Sequence, residues 1–327
     1  MTSQAMSGFW SLWIIVLTVG TIVFCWWLLY ANREKESVTG DVQTTGHVAD
    51  GIEEYDNPLP RWWFIMFVVT LVFGIVYLIL YPGLGNFKGV LGWTQQGQWE
   101  REMDHAEEFY APIFQQYAQF DIPTLARDPE AMQVADRLYQ NNCAVCHGSS
   151  ARGGYGFPNL TDNNWLYGGD PEVIRTSIYA GRNGLMTPWV DMLGDQGVDQ
   201  MVHYVMRLSS QSHDAAKADA AAPMFQAICA ACHGAEGQGS AAMGLNDIGA
   251  PDLTRNIWMY LQPGQDLYDS IDFTIRHGRN GLMPAQARYL DYGVELPANF
   301  SSMSPEEKAR ILPKVHLVTA YIYSLNQ

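Results

Sequence analysis

Two copies of one short pattern constrain this 327-residue chain more than any other feature: Cys143-Ala144-Val145-Cys146-His147 and Cys229-Ala230-Ala231-Cys232-His233. Two thiols three residues apart can each add across one vinyl group of a haem. The next residue is then held beneath the iron, where His supplies an imidazole nitrogen as fifth ligand. A thioredoxin-like redox pair and half of a zinc site use the same cysteine spacing. Duplication favours the haem reading, because each copy is followed by glycine (Gly148, Gly234) and has a matching methionine downstream. The sequence therefore predicts two covalently bound haems c, on Cys143 and Cys146 and on Cys229 and Cys232, with His147 and His233 as axial ligands. Five cysteines are too few for a disulfide-rich secreted scaffold, and Cys25 reads as a small apolar residue.

The two motifs lie in an internal repeat. Ala180-Gly181-Arg182-Asn183-Gly184-Leu185-Met186 matches His277-Gly278-Arg279-Asn280-Gly281-Leu282-Met283 at six of seven positions. Ile174 and Ile178 correspond to Ile271 and Ile275, Trp165 and Tyr167 to Trp258 and Tyr260, and Tyr204 to Tyr321. Each copy reads as helix, haem motif, irregular loop, short helix, methionine loop and terminal helix. Met186 and Met283 each end a glycine-flanked turn and are closely followed by proline, a stiff way to present a thioether as sixth iron ligand. Met192, Met224 and Met243 are the substitutes. Six-coordinate His/Met iron leaves no position open for oxygen or peroxide, so the lobes are expected to relay electrons and to carry no catalytic residue. Pairing of His and Met within each lobe is the expected arrangement; exchange of the two methionine loops is the alternative. Arg182 and Arg279 are candidate partners for haem propionates. His203 and His316 read as packing residues, and His47, His105 and His213 as surface groups.

The remainder is organised around two apolar runs. No charged residue occurs from Met1 to Asn32 or from Trp62 to Phe87, and tryptophans cluster at the ends of both stretches. Two membrane-spanning helices are expected. Arg33, Lys35 and Arg61 lie between them, and positive-inside counting puts this segment in the cytoplasm. The predicted organisation is a first spanning helix with a periplasmic N-terminus (1–31), a cytoplasmic loop (32–61), a second spanning helix (62–82), and a linker with an amphipathic helix (83–121). Two tandem c-type cytochrome domains follow, at 122–212 and 213–327, in a mainly α fold, with the seam at residues 213–222. Asp128-Pro129 and Ser304-Pro305 read as helix starts, and Pro313 as a kink. The net charge of -15 excludes a nucleic-acid partner and suits a partner with a basic face.

The loop carries a more specific signal. Thr45-Gly46-His47 with Asp50-Gly51-Ile52-Glu53-Glu54-Tyr55-Asp56-Asn57-Pro58-Leu59-Pro60-Arg61-Trp62-Trp63 resembles the signature of the dihaem subunit of cbb3-type cytochrome c oxidases. The likeness covers essentially the whole chain, including the repeated Gly-Arg-Asn-Gly-Leu-Met turns; the extra first helix is similar to that of the longer members. The resemblance implies a proton-pumping terminal oxidase in a bacterial inner membrane, with the haem domains on the periplasmic side. A haem–copper subunit would reduce oxygen, a mono-haem cytochrome c subunit would lie between it and this chain, and electrons would enter from a small cytochrome c donor. The other readings are a stand-alone membrane-anchored dihaem carrier and a dihaem peroxidase.

Overall fold

The computed structural model describes residues 6–32, 44–55 and 59–326, in two compact units divided after residue 108. Arg33, Lys35 and the Asp56-Asn57-Pro58 portion of the loop signature lie outside the described residues.

In the first unit the apolar runs form α1 (Gly8–Ala31) and α2 (Arg61–Leu80). At about 1.5 Å per residue each is long enough to cross a hydrocarbon core, and both leave most of their apolar side chains exposed. They are joined at one end by polar contacts. The Asn86 side chain donates to the Met6 carbonyl at 2.9 Å and accepts from the Met6 N–H at 3.0 Å, while the Asn86 N–H donates to Ser11 Oγ at 3.0 Å. The start of α1 is thereby tied to the turn that follows α2.

Between the helices, β1 (Thr44–Ala49) and β2 (Ile52–Tyr55) form an antiparallel hairpin, with Ala49 opposite Ile52 and Val48 opposite Glu53. Sequence reading assigned this segment as a cytoplasmic loop, without strands. Asp50 and Gly51 both take positive φ (54° and 82°), the primed two-residue turn whose twist matches paired strands. Helix α3 (Gln95–Tyr117) begins slightly earlier than the expected amphipathic helix and accommodates Pro112 in its interior.

The second unit holds α4 (Ile122–Leu125), α5 (Pro129–Asn142), α6 (Ala144–His147), α7 (Pro171–Ala180), β3 (Arg182–Met186) and α8 (Val190–Leu208). There follow α9 (Ala215–Met224), a π-turn at Phe225–Cys229, α10 (Ala230–His233), α11 (Leu267–His277) and β4 (Arg279–Met283). The chain ends with α12 (Ala287–Leu290), α13 (Pro305–Ile311) and α14 (Pro313–Ser324). The fold is mainly α, and its local signals behave as their chemistry requires. Asp128 caps α5 by accepting from the N–H groups of Glu130 and Ala131, with Pro129 at the first helical position. Ser304 and Glu307 form a reciprocal capping box on α13. Pro313 separates two helices where a kink was expected: α13 stops, Leu312 turns the chain, and α14 starts at the proline.

Packing does not follow the linear order of the repeats. One core joins Tyr139, Ile174 and Ile178 of the first repeat to Leu312, Val315, Val318 and Ile322 from the end of the chain. A second joins Val198, Met201, Val202 and Val205 of α8 to Phe225, Ile271 and Ile275 of the second repeat. Each repeat thus gives its terminal helix to its neighbour. Within the second unit, lobe A is built from residues 109–180 plus those from 283 on, and lobe B from the stretch between. The expected boundary at 212/213 marks the sequence repeat; in the structure α8 and α9, on either side of it, pack together as a helical hairpin. Residues 213–222 do not form a seam between lobes, because Ala218 and Ala221 are fully buried in α9, which packs on α8. Their small side chains allow the two backbones to approach closely.

The crossing occurs at a two-stranded antiparallel ribbon. β3 pairs with β4 in the register Arg182↔Met283, Gly184↔Gly281 and Met186↔Arg279, a pseudo-twofold arrangement about the central glycines. Gly181 and Gly278, at φ 74° and 71°, begin the two strands. A Cβ at Gly181 would run into the backbone of Met283 and Pro284, and one at Gly278 into that of Met186 and Pro188. Beyond the ribbon, Trp189 N–H donates to Ile275 O and Gln286 N–H to Ile178 O, both at 2.9 Å. These equivalent bonds pin the chain after each methionine to the opposite repeat.

Candidate haem centres

Each Cys-x-x-Cys-His motif forms a single helical turn, α6 or α10, that ends at a glycine with positive φ, Gly148 (75°) or Gly234 (83°). The glycine releases the chain sharply, so the histidine stands at the end of a fixed turn. A backbone carbonyl then orients each ring: His147 Nδ1 lies 3.1 Å from Pro158 O, and His233 Nδ1 lies 3.1 Å from Pro251 O. A carbonyl can only accept, so Nδ1 carries the proton and the Nε2 lone pair is left for a metal. Burial holds both imidazoles below the usual histidine range, which keeps them neutral as ligation requires.

Of the four motif cysteines, Cys143 and Cys229 are half-buried and Cys146 and Cys232 exposed. Burial pushes the Cys143 and Cys229 thiols up to about 11. Among the described residues no three His, Cys, Asp or Glu side chains converge as a metal cluster. Each motif therefore stands alone, as a haem attachment site does, and does not complete a zinc tetrad. Two thiols, a presented imidazole and an apolar wall fit a covalently attached haem.

The methionines lie across from their own motifs. Met283 packs in lobe A with Cys143, Leu160 and Trp165, whereas Met186 packs in lobe B with Cys229, Leu253 and Trp258. The geometry therefore favours the exchanged arrangement over pairing within each repeat. Of the substitutes, Met192 is exposed, and Met224 packs into the core of lobe B from α9.

Ribbon register brings Arg182 opposite Met283 and Arg279 opposite Met186, on the inward side of the strands. Arg182 lies over Tyr167 at 4.5 Å and its Nε–H donates to Ser177 Oγ at 2.9 Å. Arg279 repeats this over Tyr260 at 4.4 Å, with Thr274 Oγ1 as acceptor at 2.9 Å. Stacking and one hydrogen bond fix each guanidinium plane while leaving further donors. The tyrosines were visible in the sequence as repeat-matched positions, but their stacking on the arginines was not.

Sequence reading also missed a buried polar group in lobe A. Arg175, 2% exposed, donates to Pro305 O at 2.7 Å and to His316 Nδ1 at 2.9 Å. His316, also 2% exposed, donates from Nε2 to Phe120 O at 2.9 Å. Burial, and then the adjacent guanidinium, lower the His316 pKa to about 4. Helical periodicity identified His316 as a packing residue but gave no sign of its partner.

Comparison with known proteins gives the same reading at the level of the whole chain. Residues 41–88 match the family model for the N-terminal domain of cytochrome oxidase-cbb3, FixP. Residues 130–205 and 216–292 each match that for cytochrome c oxidase, cbb3-type, subunit III. The cbb3-type cytochrome c oxidase subunit CcoP of Rubrivivax gelatinosus is 40% identical over 97% of this chain and 95% of its own length. CcoP of Cereibacter sphaeroides is 39% identical over 75% of this chain and 88% of its own. The subunit FixP of Bradyrhizobium sp. (strain ORS 278) is 37% identical over 80% and 93%. The two cytochrome domains imply covalently bound haem c and electron transfer within an oxidase complex. The chain belongs to the CcoP/FixP family of cbb3-type cytochrome c oxidase subunits.

Proposed function

We propose that this chain is the electron-entry subunit of a proton-pumping terminal oxidase, passing electrons from a cytochrome c donor towards the haem–copper subunit by way of a mono-haem cytochrome c subunit. Two haems c, when bound, supply reversible one-electron carriage. Cys143 and Cys146 would tether one and Cys229 and Cys232 the other, with His147 and His233 offering Nε2. Met283 would offer a thioether to the first site and Met186 to the second, a ligand type that favours the reduced state. Arg182 and Arg279 would meet the propionates. Helices α1 and α2 would both span the inner membrane with the lobes on the periplasmic side, which the shared end at Asn86, Met6 and Ser11 supports.

The observation that supports this reading is the ribbon, beside which Met283 packs on the same core as Cys143 and Met186 on the same core as Cys229. The test is purification in mild detergent, followed by intact-mass measurement and identification of co-purifying chains. Two haem masses and haem-b-containing partners are expected. In a Cys229→Ser/Cys232→Ser background, Met283→Ala should perturb the remaining low-spin haem and Met186→Ala should not. An unmodified polypeptide, or extensive carbon monoxide binding to the c haems of the unaltered protein, would overturn the relay.

A further inference from the structure

The β3–β4 ribbon has two faces of different chemistry. Alternation turns Arg182, Gly184, Met186 and their β4 counterparts inward, and Asn183, Leu185, Asn280 and Leu282 outward. Leu185 and Leu282 are 68% and 72% exposed, and each is the immediate neighbour of a methionine facing one of the two haem cups. Register places each leucine opposite an asparagine, so the outer face carries no charge. Two exposed carboxylates pair with arginines of β3 and of the helix before β4. Asp247, 98% exposed, pairs with Arg182 at 3.4 Å; Asp195, 90% exposed, pairs with Arg276, three residues before β4. The whole chain carries -15.

We propose that the outer face of this ribbon is the landing site for a small basic electron-carrier protein, one presenting an apolar redox edge ringed by lysines. The inference rests on the electron-entry reading above. Three observations select this occupant. The exposed apolar centre of the ribbon is two leucines, Leu185 and Leu282, on the scale of a transient redox contact. Its neutral apolar centre, in a chain of net charge -15, complements a lysine ring around an apolar edge, so that charge steers the encounter and apolar contact seats it. And one seat serves both sites, since Leu185 and Leu282 each adjoin one methionine. Either haem is then reachable from a single docked pose.

The test uses the intact detergent-purified oxidase and a reduced, basic mitochondrial-type cytochrome c as probe. Stopped-flow reduction of the c haems is compared for the unaltered protein, Leu185→Lys/Leu282→Lys and Leu185→Gln/Leu282→Gln. The lysine pair is expected to lower the second-order rate by about tenfold or more, through lost apolar contact and added repulsion. The glutamine pair should give a smaller loss with the ionic-strength dependence retained. Reduction by ascorbate with a small mediator should stay unchanged in both. A donor rate unaltered in the glutamine pair would overturn the landing site, as would loss of other subunits from the complex, which would make the ribbon a subunit contact. If the lysine pair fails to take up haem, the glutamine pair decides. Should the unaltered oxidase refuse electrons from the probe while the mediator still reduces it, the electron-entry reading itself falls.

Discussion

Lobes A and B share their inner parts and differ in their outer ones. Tyr139 and Phe225 occupy equivalent buried positions four residues before the first cysteine of each motif, and each packs on the tyrosine of an exchanged helix, Tyr321 or Tyr204. Gln140 and Gln226 both donate to a carbonyl just past the motif, of Ser149 or Ala235. Outside this shell the match ends. The position held by buried Arg175 in lobe A is held in lobe B by Asp272, which pairs with Arg276 at 2.8 Å near the surface. Lobe A also has a third core, Ile122, Leu125, Ala131, Ala135, Leu317 and Ala320, which backs it with the segment arriving from α3. The packing around each motif is thus held constant while the surrounding charge differs in sign. Two like cysteine motifs sit in electrostatically distinct protein.

The sharpest test of the shared shell is truncation of its anchors. Tyr139→Ala and Phe225→Ala should each cost about 3–5 kcal/mol, read by denaturant unfolding, because both side chains are fully buried. A large inequality between them would break the equivalence of the lobes. The outer difference adds, in lobe A, an acid sensitivity beyond that of the two motif histidines. His316 binds a proton less readily folded (pKa about 4) than unfolded (about 6.5), so stability is full above the unfolded value. It is lost as pH falls from about 6.5 towards 4, by about 3 kcal/mol in all. Thermal unfolding across that window should show the loss, and His316→Gln should flatten it.

Smaller effects probe the crossing and the anchor hydroxyl. Gly181→Ala and Gly278→Ala should each destabilise by about 2 kcal/mol or more, since a side chain there meets positive φ and opposing backbone together. Equal shifts in melting temperature would sharpen the pseudo-twofold picture. Tyr139→Phe makes lobe A resemble lobe B and removes only the hydrogen bond to Gly148 O at 2.7 Å. The expected cost is about 1 kcal/mol, within reach of calorimetry.

Much of this was legible in the sequence. The Cys-x-x-Cys-His spacing gave the cup floors, the repeat gave matching methionines, and Asp128-Pro129 and Ser304-Pro305 gave helix starts, because each is a short-range pattern with a local physical cause. The Asp50-Gly51 hairpin was also written locally and was passed over beside the more conspicuous prolines. What sequence could not convey was partner choice. Val198, Met201 and Val205 bear an apolar face that fits either repeat's helix, and a repeat is by construction ambiguous about which copy packs on which. Strand pairing of the two Gly-Arg-Asn-Gly-Leu-Met turns resolves that ambiguity, and pairing is a property of two distant segments. Arg175 and His316, 141 residues apart, were hidden for the same reason.

The exchanged terminal helices have a consequence for biogenesis. The earliest cytochrome motif to leave the ribosome is the last to be enclosed, because its wall is α14, within the final fifteen residues of the chain. Lobe B, by contrast, has all its pieces once synthesis passes β4. A nonsense codon near position 312 would therefore injure the first motif, some 165 residues upstream, and spare the one nearer to it.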